Sequence, residues 1–345
     1  MVPVITLAIP VYNAEAYIEC ALRSALDQDF SLPYEVLVID DCGDDGSMAI
    51  VSQVLRQHNR GHAVRIVRHS GNQGLGAARN TAIEQAQGRY LFFLDADDWL
   101  MPECLSHLYA LAEHEQADVV AGSTLECKND EMHDRYPLAD RVVRREAAGV
   151  WMAAEDIFMN IEVWNKLFSL DFLRQYGIRT VHRIMEDSVF DFVVRAKAQC
   201  IVLSSHVTLC YRIHNDSILG RLIGQKATDE AVYTYCDIVR QVKQLVAERF
   251  HDIDGIYDLY CLRLFYSFRS LRRMQLSSEQ ESYVETHVRG FLDFVPSIRS
   301  LHQGAFRLAY LICRLKGNDW RAFEHAYDQR YSRLSYYLKR LLIRL

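Results

Sequence analysis

Two kinds of apolar pattern alternate through the first 125 residues. Short, near-continuous apolar runs rich in β-branched residues occur at 4–9, 35–39, 64–67, 90–94 and 118–121, as in parallel strands buried on both faces. Between them the period becomes helical. Ala14, Tyr17, Ile18, Ala21, Leu22, Ala25 and Leu26 recur at i, i+3, i+4, i+7, i+8, i+11 and i+12, an amphipathic stripe with Asn13 placed to cap it. Similar stretches cover 47–57, 75–87 and 102–115, the last with Pro102 near its first turn. Strand–helix alternation at this spacing predicts βαβ units, an α/β fold with a mainly parallel sheet and helices on both faces.

The pattern then loosens. Residues 128–148 are polar and charge-rich without a clear period, and read as a loop or irregular hairpin. A mixed stretch follows to about 224, with a helix over 188–198 and strands at 200–203 and 207–213. From 225 onward glycine and proline become scarce and helical patterns dominate. The expected division is therefore an α/β domain over 1–224 and a helical region over 225–345. In the last stretch, 329–345, Arg330, Arg333, Lys339, Arg340 and Arg344 meet no acid, while Leu334, Tyr337, Leu338, Leu341, Leu342 and Leu345 form an apolar stripe. A basic amphipathic helix of this kind either lies on an anionic membrane leaflet or packs on the protein body with its cations snorkelling outward.

Composition narrows the classes. The 345 residues are 50% hydrophobic and 24% charged, ordinary for a folded chain, and the net charge of −6 gives no global field for nucleic acid. No apolar run reaches the roughly 18 residues of a membrane span, and the N-terminus lacks the basic segment and cleavage site of a secretory signal. Nine cysteines, the closest pair ten positions apart, make neither a zinc motif nor a disulfide framework. The expected setting is cytoplasmic, at the inner membrane face if the basic tail binds lipid.

Candidate chemistry collects where strands end. Asp40 and Asp41 close one apolar run, and Asp95-Ala96-Asp97-Asp98 close another. Carboxylates crowded after buried strands repel one another, and a divalent cation with a phosphate ligand resolves the conflict. The usual phosphate loops are missing. No G-x-x-x-x-G-K-[ST] occurs, the turn after the first strand (Pro10-Val-Tyr-Asn13) has no glycine, and Gly74-Leu-Gly76 leads to Arg79 instead of a third glycine. That segment reads as a helix entry.

Four segments carry a resemblance: Ile9-Pro-Val-Tyr-Asn13, Val38-Ile-Asp-Asp-Cys-Gly-Asp-Asp-Gly-Ser47, Gly71-Asn-Gln-Gly-Leu-Gly-Ala-Ala-Arg-Asn80 and Gly88-Arg-Tyr-Leu-Phe-Phe-Leu-Asp-Ala-Asp-Asp-Trp99. In order and spacing they resemble a family-2 glycosyltransferase of the bacterial surface-polysaccharide type, with the A-type nucleotide-sugar fold. Looser matches continue through Val163-Trp-Asn-Lys-Leu167, Met185-Glu-Asp187 and Tyr211-Arg-Ile-His214. Cys42 departs from the family, which usually has a small residue there or goes straight to glycine, and little effect is expected.

The resemblance implies roles. Tyr12 would stack on the nucleotide base and Asp41 would accept a uracil-type N–H, with Pro10 and Asn13 in the same substrate-binding set. Arg79 would face the phosphate side, unless it is an ordinary helix-surface arginine. Asp95, Ala96 and Asp97 match the D-x-D element that grips ribose and metal, with Mn²⁺ or Mg²⁺ held by Asp97, Asp98 and His214. Trp164, Asn165 and Lys166 would shape the sugar or acceptor pocket, although Trp164 could equally be core. Transfer to a hydroxyl needs a base, and Asp187, with Glu186 beside it, matches the family's Glu-Asp pair. The implied activity is metal-dependent, inverting transfer from a nucleotide-diphospho-sugar, expected to be a UDP-sugar, to a polysaccharide or lipid-linked glycan. Two rivals remain. A sugar-phosphate nucleotidyltransferase would need a glycine-rich first loop, and a non-catalytic nucleotide-sugar-binding subunit would not need the Asp95, Asp97 and Asp187 set.

Overall fold

The computed structural model describes residues 2–128, 131–145, 162–181, 187–214, 228–251, 256–289, 291, 293, 295, 320–322 and 325. Its first compact unit runs β1 (Ile5–Val11), α1 (Ile18–Leu26), β2 (Tyr34–Asp40), α2 (Ser47–Gln57), β3 (Val64–Arg68), α3 (Leu75–Gln85), β4 (Tyr90–Phe93), β5 (Trp99–Leu100), α4 (Cys104–Glu115), β6 (Val119–Lys128), β7 (Glu131–Tyr136), β8 (Arg141–Arg144), β9 (Lys166–Ser169), α5 (Leu170–Gln175), α6 (Asp187–Lys197) and β10 (Cys200–Arg212).

Most of the apolar runs become central strands because both sheet faces are covered; the run at 64–67 does not, forming the half-exposed edge strand β3. β1 is buried at every position. Its Ile5, Leu7 and Ile9 share a core with Ile18, Leu22, Val51, Leu105 and Leu108 of α1, α2 and α4. The alternate face is covered by α3, which packs on β1 and β2. Farther along the sheet, Phe190 of α6 stands edge-on to Phe168 of β9, and Phe168 meets Phe93 of β4.

The sheet order is β3-β2-β1-β4-β9-β6-β10-β5, with β7 added to β6 and β8 to β10. β3, β2, β1 and β4 are parallel neighbours. β9 lies antiparallel between β4 and β6, so β6 keeps the direction of β4, and β10 runs parallel to β6. The expected α/β architecture is present, with an inserted antiparallel strand that no periodicity announced.

Three local expectations are corrected. Asn13 does not cap α1, which begins at Ile18 after a turn; Asn13 adopts φ 48° and turns its side chain to Asp44. The run at 118–121 extends to Lys128 and forms an antiparallel ladder with β7 in the stretch read as a loop or hairpin. The strands at 200–203 and 207–213 are one strand, β10, whose register on β6 shifts between Leu203 and Val207 and again before Leu209. A bulge of this kind re-aims a strand without ending it.

The second unit contains helices α7 (Asp229–Leu245), α8 (Ile256–Arg273) and α9 (Ser278–His287). Thr228 caps α7, and a reciprocal capping box between Ser277 and Gln280 starts α9. Tyr260 donates to the Phe291 carbonyl at 2.6 Å inside this unit. The tail at 329–345 lies outside the described residues. Among the described residues no helix is long and apolar enough to cross a membrane, and eight cysteines are free thiols.

Candidate active site

Tyr12, Asn13, Asp41, Asp95, Asp97 and His214 lie just beyond the carboxyl ends of β1, β2, β4 and β10, where open α/β sheets bind ligands. At the first two strand ends, one polar lattice joins the loop after β1 to the loop after β2. Asn13 Nδ2 donates to Asp44 Oδ1 at 2.9 Å and Asn13 Oδ1 accepts from the Asp44 amide at 3.0 Å. The Ala14 amide donates to Ser47 Oγ and the Glu15 amide to Asp45 Oδ2, each at 2.9 Å. Gly43 is required here, because a Cβ would sit 2.5 Å from Asn13 Oδ1. This lattice holds Tyr12, 49% exposed, at the rim. Pro10 is buried in β1, opposite Ile39 of β2.

Asp41 is 2% exposed and faces inward. Its Oδ1 accepts from the Gln73 amide at 2.8 Å and from His69 Nδ1 at 2.6 Å, while Oδ2 accepts from the Gly74 amide at 2.8 Å. Gly74 caps α3 at φ 91°, a conformation that suits glycine. The segment 71–76 is thus a helix entry, as read from sequence. Cys42 occupies φ 56°, which accounts for the family's usual small residue there, and its thiol donates to the His69 carbonyl.

Behind the β4 turn, Arg79 from α3 is 1% exposed and bridges two carboxylates. Nη2 reaches Asp95 at 2.9 Å, and Nη1 reaches Asp187, the first residue of α6, at 2.5 Å. The helix-surface alternative is therefore wrong: Arg79 is an internal clamp. Burial pushes the Asp95 carboxyl up to about 6; Arg79 opposes this, and Asp97 and Asp187 add to it. Ala96 is 9% exposed within the turn. Glu186 lies outside the described residues.

The outer part of the turn meets the end of β10. His214 Nε2 lies 2.9 Å from Asp97 Oδ2, and its Nδ1 is buried with no hydrogen-bond partner among the described residues. The imidazole packs on Tyr17, with ring centroids 4.4 Å apart. Arg212 donates through Nε to the Asp97 carbonyl at 2.9 Å, with its guanidinium 4.7 Å from the Trp99 ring and 5.4 Å from that of Tyr17. Sequence reasoning gave Tyr17, Arg212 and His69 no role of their own. Only the tyrosine and arginine left a signal, lying in segments already singled out.

The remaining expected residues lie in the interior. Asp98 is completely buried and its Oδ1 accepts the Arg212 amide at 2.8 Å, which fixes the turn to β10. Asn165, completely buried at φ 56°, donates to the Gly122 and Ser123 carbonyls and to Thr124 Oγ1, and accepts from Thr208. Its amide pins β6, β9 and β10 together and does not line a substrate pocket. Lys166 lines a partly open pocket of about 30 Å³ with Phe190, Asp191 and Arg195, and donates to the Glu162 carbonyl. Burial lowers its ammonium pKa to about 8. Trp164 is core, 4% exposed and stacked on Tyr211.

Among the described residues no three His, Cys, Asp or Glu side chains converge as a ready metal cage. Asp97 and His214 still offer one hard oxygen and one imidazole nitrogen at the mouth of the turn. That pair fits a divalent cation which completes its shell with substrate phosphates and water.

Comparison with known proteins gives the family and the fold. The sequence model described as "Glycosyl transferase family 2" matches residues 6–179. EpsH of Bacillus subtilis (strain 168), named as a glycosyltransferase, is 27% identical over 223 residues, covering 64% of this chain and 63% of that protein. TuaG of the same strain, named for teichuronic acid biosynthesis, is 35% identical over 135 residues, 39% of this chain and 52% of its own length. The match therefore spans only half to two thirds of these relatives. Among solved structures, S. aureus TarS 1–349 in complex with UDP-GlcNAc superposes with a TM-score of 0.73 at 20% identity, covering 94% of this chain and 91% of that one. At that identity the likeness establishes the fold, a mixed α/β architecture with a helical C-terminal region.

Proposed function

The chain belongs to glycosyl transferase family 2, and from that premise we propose that it moves a sugar from a nucleotide-diphospho-sugar, a UDP-sugar by preference, to a hydroxyl of a glycan or lipid-linked acceptor. The observation that carries this reading is the Arg79 clamp. One buried guanidinium joins Asp95, on the donor side, to Asp187, the candidate base. Donor and acceptor chemistry are thereby held at a common centre.

In this reading Tyr12 stacks on the base, Asp41 accepts its N–H, and Asp95 holds the ribose. Asp187 takes the acceptor proton as the hydroxyl attacks the anomeric carbon from the face opposite the leaving diphosphate, which gives inversion. Asp97 and His214 would hold Mn²⁺ or Mg²⁺, which supplies positive charge for the departing diphosphate. Arg79 holds Asp187 aimed before the acceptor arrives. The basic pattern at 329–345 supports peripheral attachment to an anionic membrane, where lipid-linked acceptors reside.

The test is a panel of nucleotide sugars with Mn²⁺ or Mg²⁺, read as release of nucleoside diphosphate. Metal-dependent release of UDP, increased by glycan acceptors, is the expected result. Binding without turnover across the panel and all acceptors tried would make the chain a binding subunit instead.

A further inference from the structure

His69 sits between two partners that the transfer chemistry does not use. Its ring lies in the interior, 9% exposed, at the end of β3. Nδ1 is 2.6 Å from Asp41 Oδ1, and Nε2 is 2.9 Å from Thr81 Oγ1 on α3. The tautomer follows from the surroundings. Each Asp41 oxygen already accepts a backbone N–H, from Gln73 and Gly74, so the side chain meets His69 as an acceptor. Nδ1 therefore carries the proton and donates to Asp41, while Nε2 accepts from the Thr81 hydroxyl.

The count of acceptor positions gives this arrangement a consequence. Asp41 Oδ1 serves both Gln73 and His69, whereas Oδ2 serves Gly74 alone among the described residues. A carboxylate oxygen has two acceptor positions, so the one left over is on Oδ2. Without His69 the carboxylate would keep both backbone N–H groups but have an open position at each oxygen, so a second donor, water included, could compete with the base there. The Thr81 contact keeps the imidazole from turning and ties it to the helix that carries Arg79.

We propose that His69 is a positioning residue for nucleobase selection, fixing the one open acceptor of Asp41 so that it reads a base N–H. The inference rests on the UDP-sugar reading above. Its chemical content is a preference between two pyrimidines. Uracil presents an N3–H that a carboxylate oxygen accepts, while cytosine presents a lone pair at N3 that the same oxygen repels. A single open acceptor discriminates between them, and a carboxylate with a second open position, which water or an amino group can fill, does so less.

The experiment is titration calorimetry of UDP and CDP into the full chain, alongside donor kinetics. The unaltered protein should bind UDP at least tenfold more tightly than CDP. His69→Phe keeps the ring but loses both nitrogens. It should weaken UDP about tenfold while leaving CDP nearly unchanged, and donor KM should rise while kcat moves less than twofold. His69→Asn, whose amide nitrogen can take the place of Nδ1, should restore most of the UDP preference. If His69→Phe does not fold, Thr81→Val reads the same link and should lower the UDP-to-CDP ratio. A ratio unchanged in the folded variants overturns the proposal while leaving the UDP-sugar reading intact. An unaltered protein with no preference for UDP over CDP overturns both.

Discussion

Asp95 and Asp187 share a single buried guanidinium, with Asp97 close enough to add its charge, and that imbalance has a thermodynamic sign. The Asp95 carboxyl sits at about 6 in the fold against an ordinary 3.8, with burial as the first cause. A carboxyl raised in this way costs nothing below about pH 4, where folded and unfolded chains are both protonated. The cost grows as pH rises and is complete above about 6, where it approaches ~3 kcal/mol. Asp95→Asn should therefore raise the thermal midpoint of the ligand-free protein by several degrees at pH 7.5 while abolishing transfer. The gap between variant and parent should shrink to about half at pH 5; a gap that widens on acidification would contradict this assignment. Asp187→Asn separates base from binding. It keeps the size of the carboxylate but cannot take a proton, so kcat should fall about 10²–10⁴-fold with donor KM little changed. Asp41→Asn should do the opposite, because an amide cannot serve both backbone N–H groups and the base, and donor KM should rise with kcat nearly intact. Steady-state transfer with the donor varied at saturating acceptor distinguishes the two. Retention of near-normal kcat by Asp187→Asn would move the base elsewhere, first to Glu186.

At the scale of elements, Asn165 does for the sheet what Arg79 does for the site. Its single side chain donates to Gly122, Ser123 and Thr124 and accepts from Thr208, all in the interior. Asn165→Ala would strand several buried polar groups, at about 1–3 kcal/mol for each one left unmatched, and would place alanine at φ 56°, where asparagine is better tolerated. The urea midpoint of unfolding should fall by the equivalent of about 3 kcal/mol or more; a loss under 1 kcal/mol would return Asn165 to the pocket wall. The strands β1, β2 and β4 were legible in the sequence because each is a near-continuous apolar run that the fold buries, whereas β3, VRIVR, was legible by its β-branched residues although it lies half-exposed at the sheet edge. β9 was not. It has only four residues, follows a buried Asn with positive φ, and owes its place between β4 and β6 to partners from elsewhere in the chain. The two halves of β10 looked separate because Ser204, Ser205 and His206 interrupt the apolar run, yet the backbone passes through them as a bulge. The acidic clusters were legible as chemistry, but which acid does what was not. Asp98 looked like a ligand beside Asp97, and only its burial under the Arg212 amide separates them. His69 and Tyr17 carry no motif; their meaning comes from the strands and loops that bring Asp41 and His214 to them.

At the scale of the whole chain, charge is divided unevenly. Five of the 39 basic residues and none of the 45 acidic ones fall in 329–345, so the rest of the chain carries −11 and the tail +5. A body of that charge is repelled by an anionic bilayer, and only the tail can reverse the sign. Each cation near such a surface contributes about 1 kcal/mol, within a Debye length of about 8 Å at physiological salt. The leucine stripe adds apolar burial that salt does not screen. The full chain should therefore sediment with vesicles containing phosphatidylserine or phosphatidylglycerol, less with neutral ones, and progressively less as salt rises to 0.5 M, about the level at which the Debye length falls below 5 Å. Deletion of 329–345 should reduce sedimentation to background while donor hydrolysis in solution continues, since no residue of the Arg79 centre or the Asp97–His214 pair is removed. The two binding components separate in the salt series: electrostatic attraction alone would fall to nothing, whereas an inserted stripe leaves a salt-resistant remainder. Binding by the truncated chain equal to that of the full chain would make the tail an ordinary packed helix and leave the lipid-linked acceptor without this support.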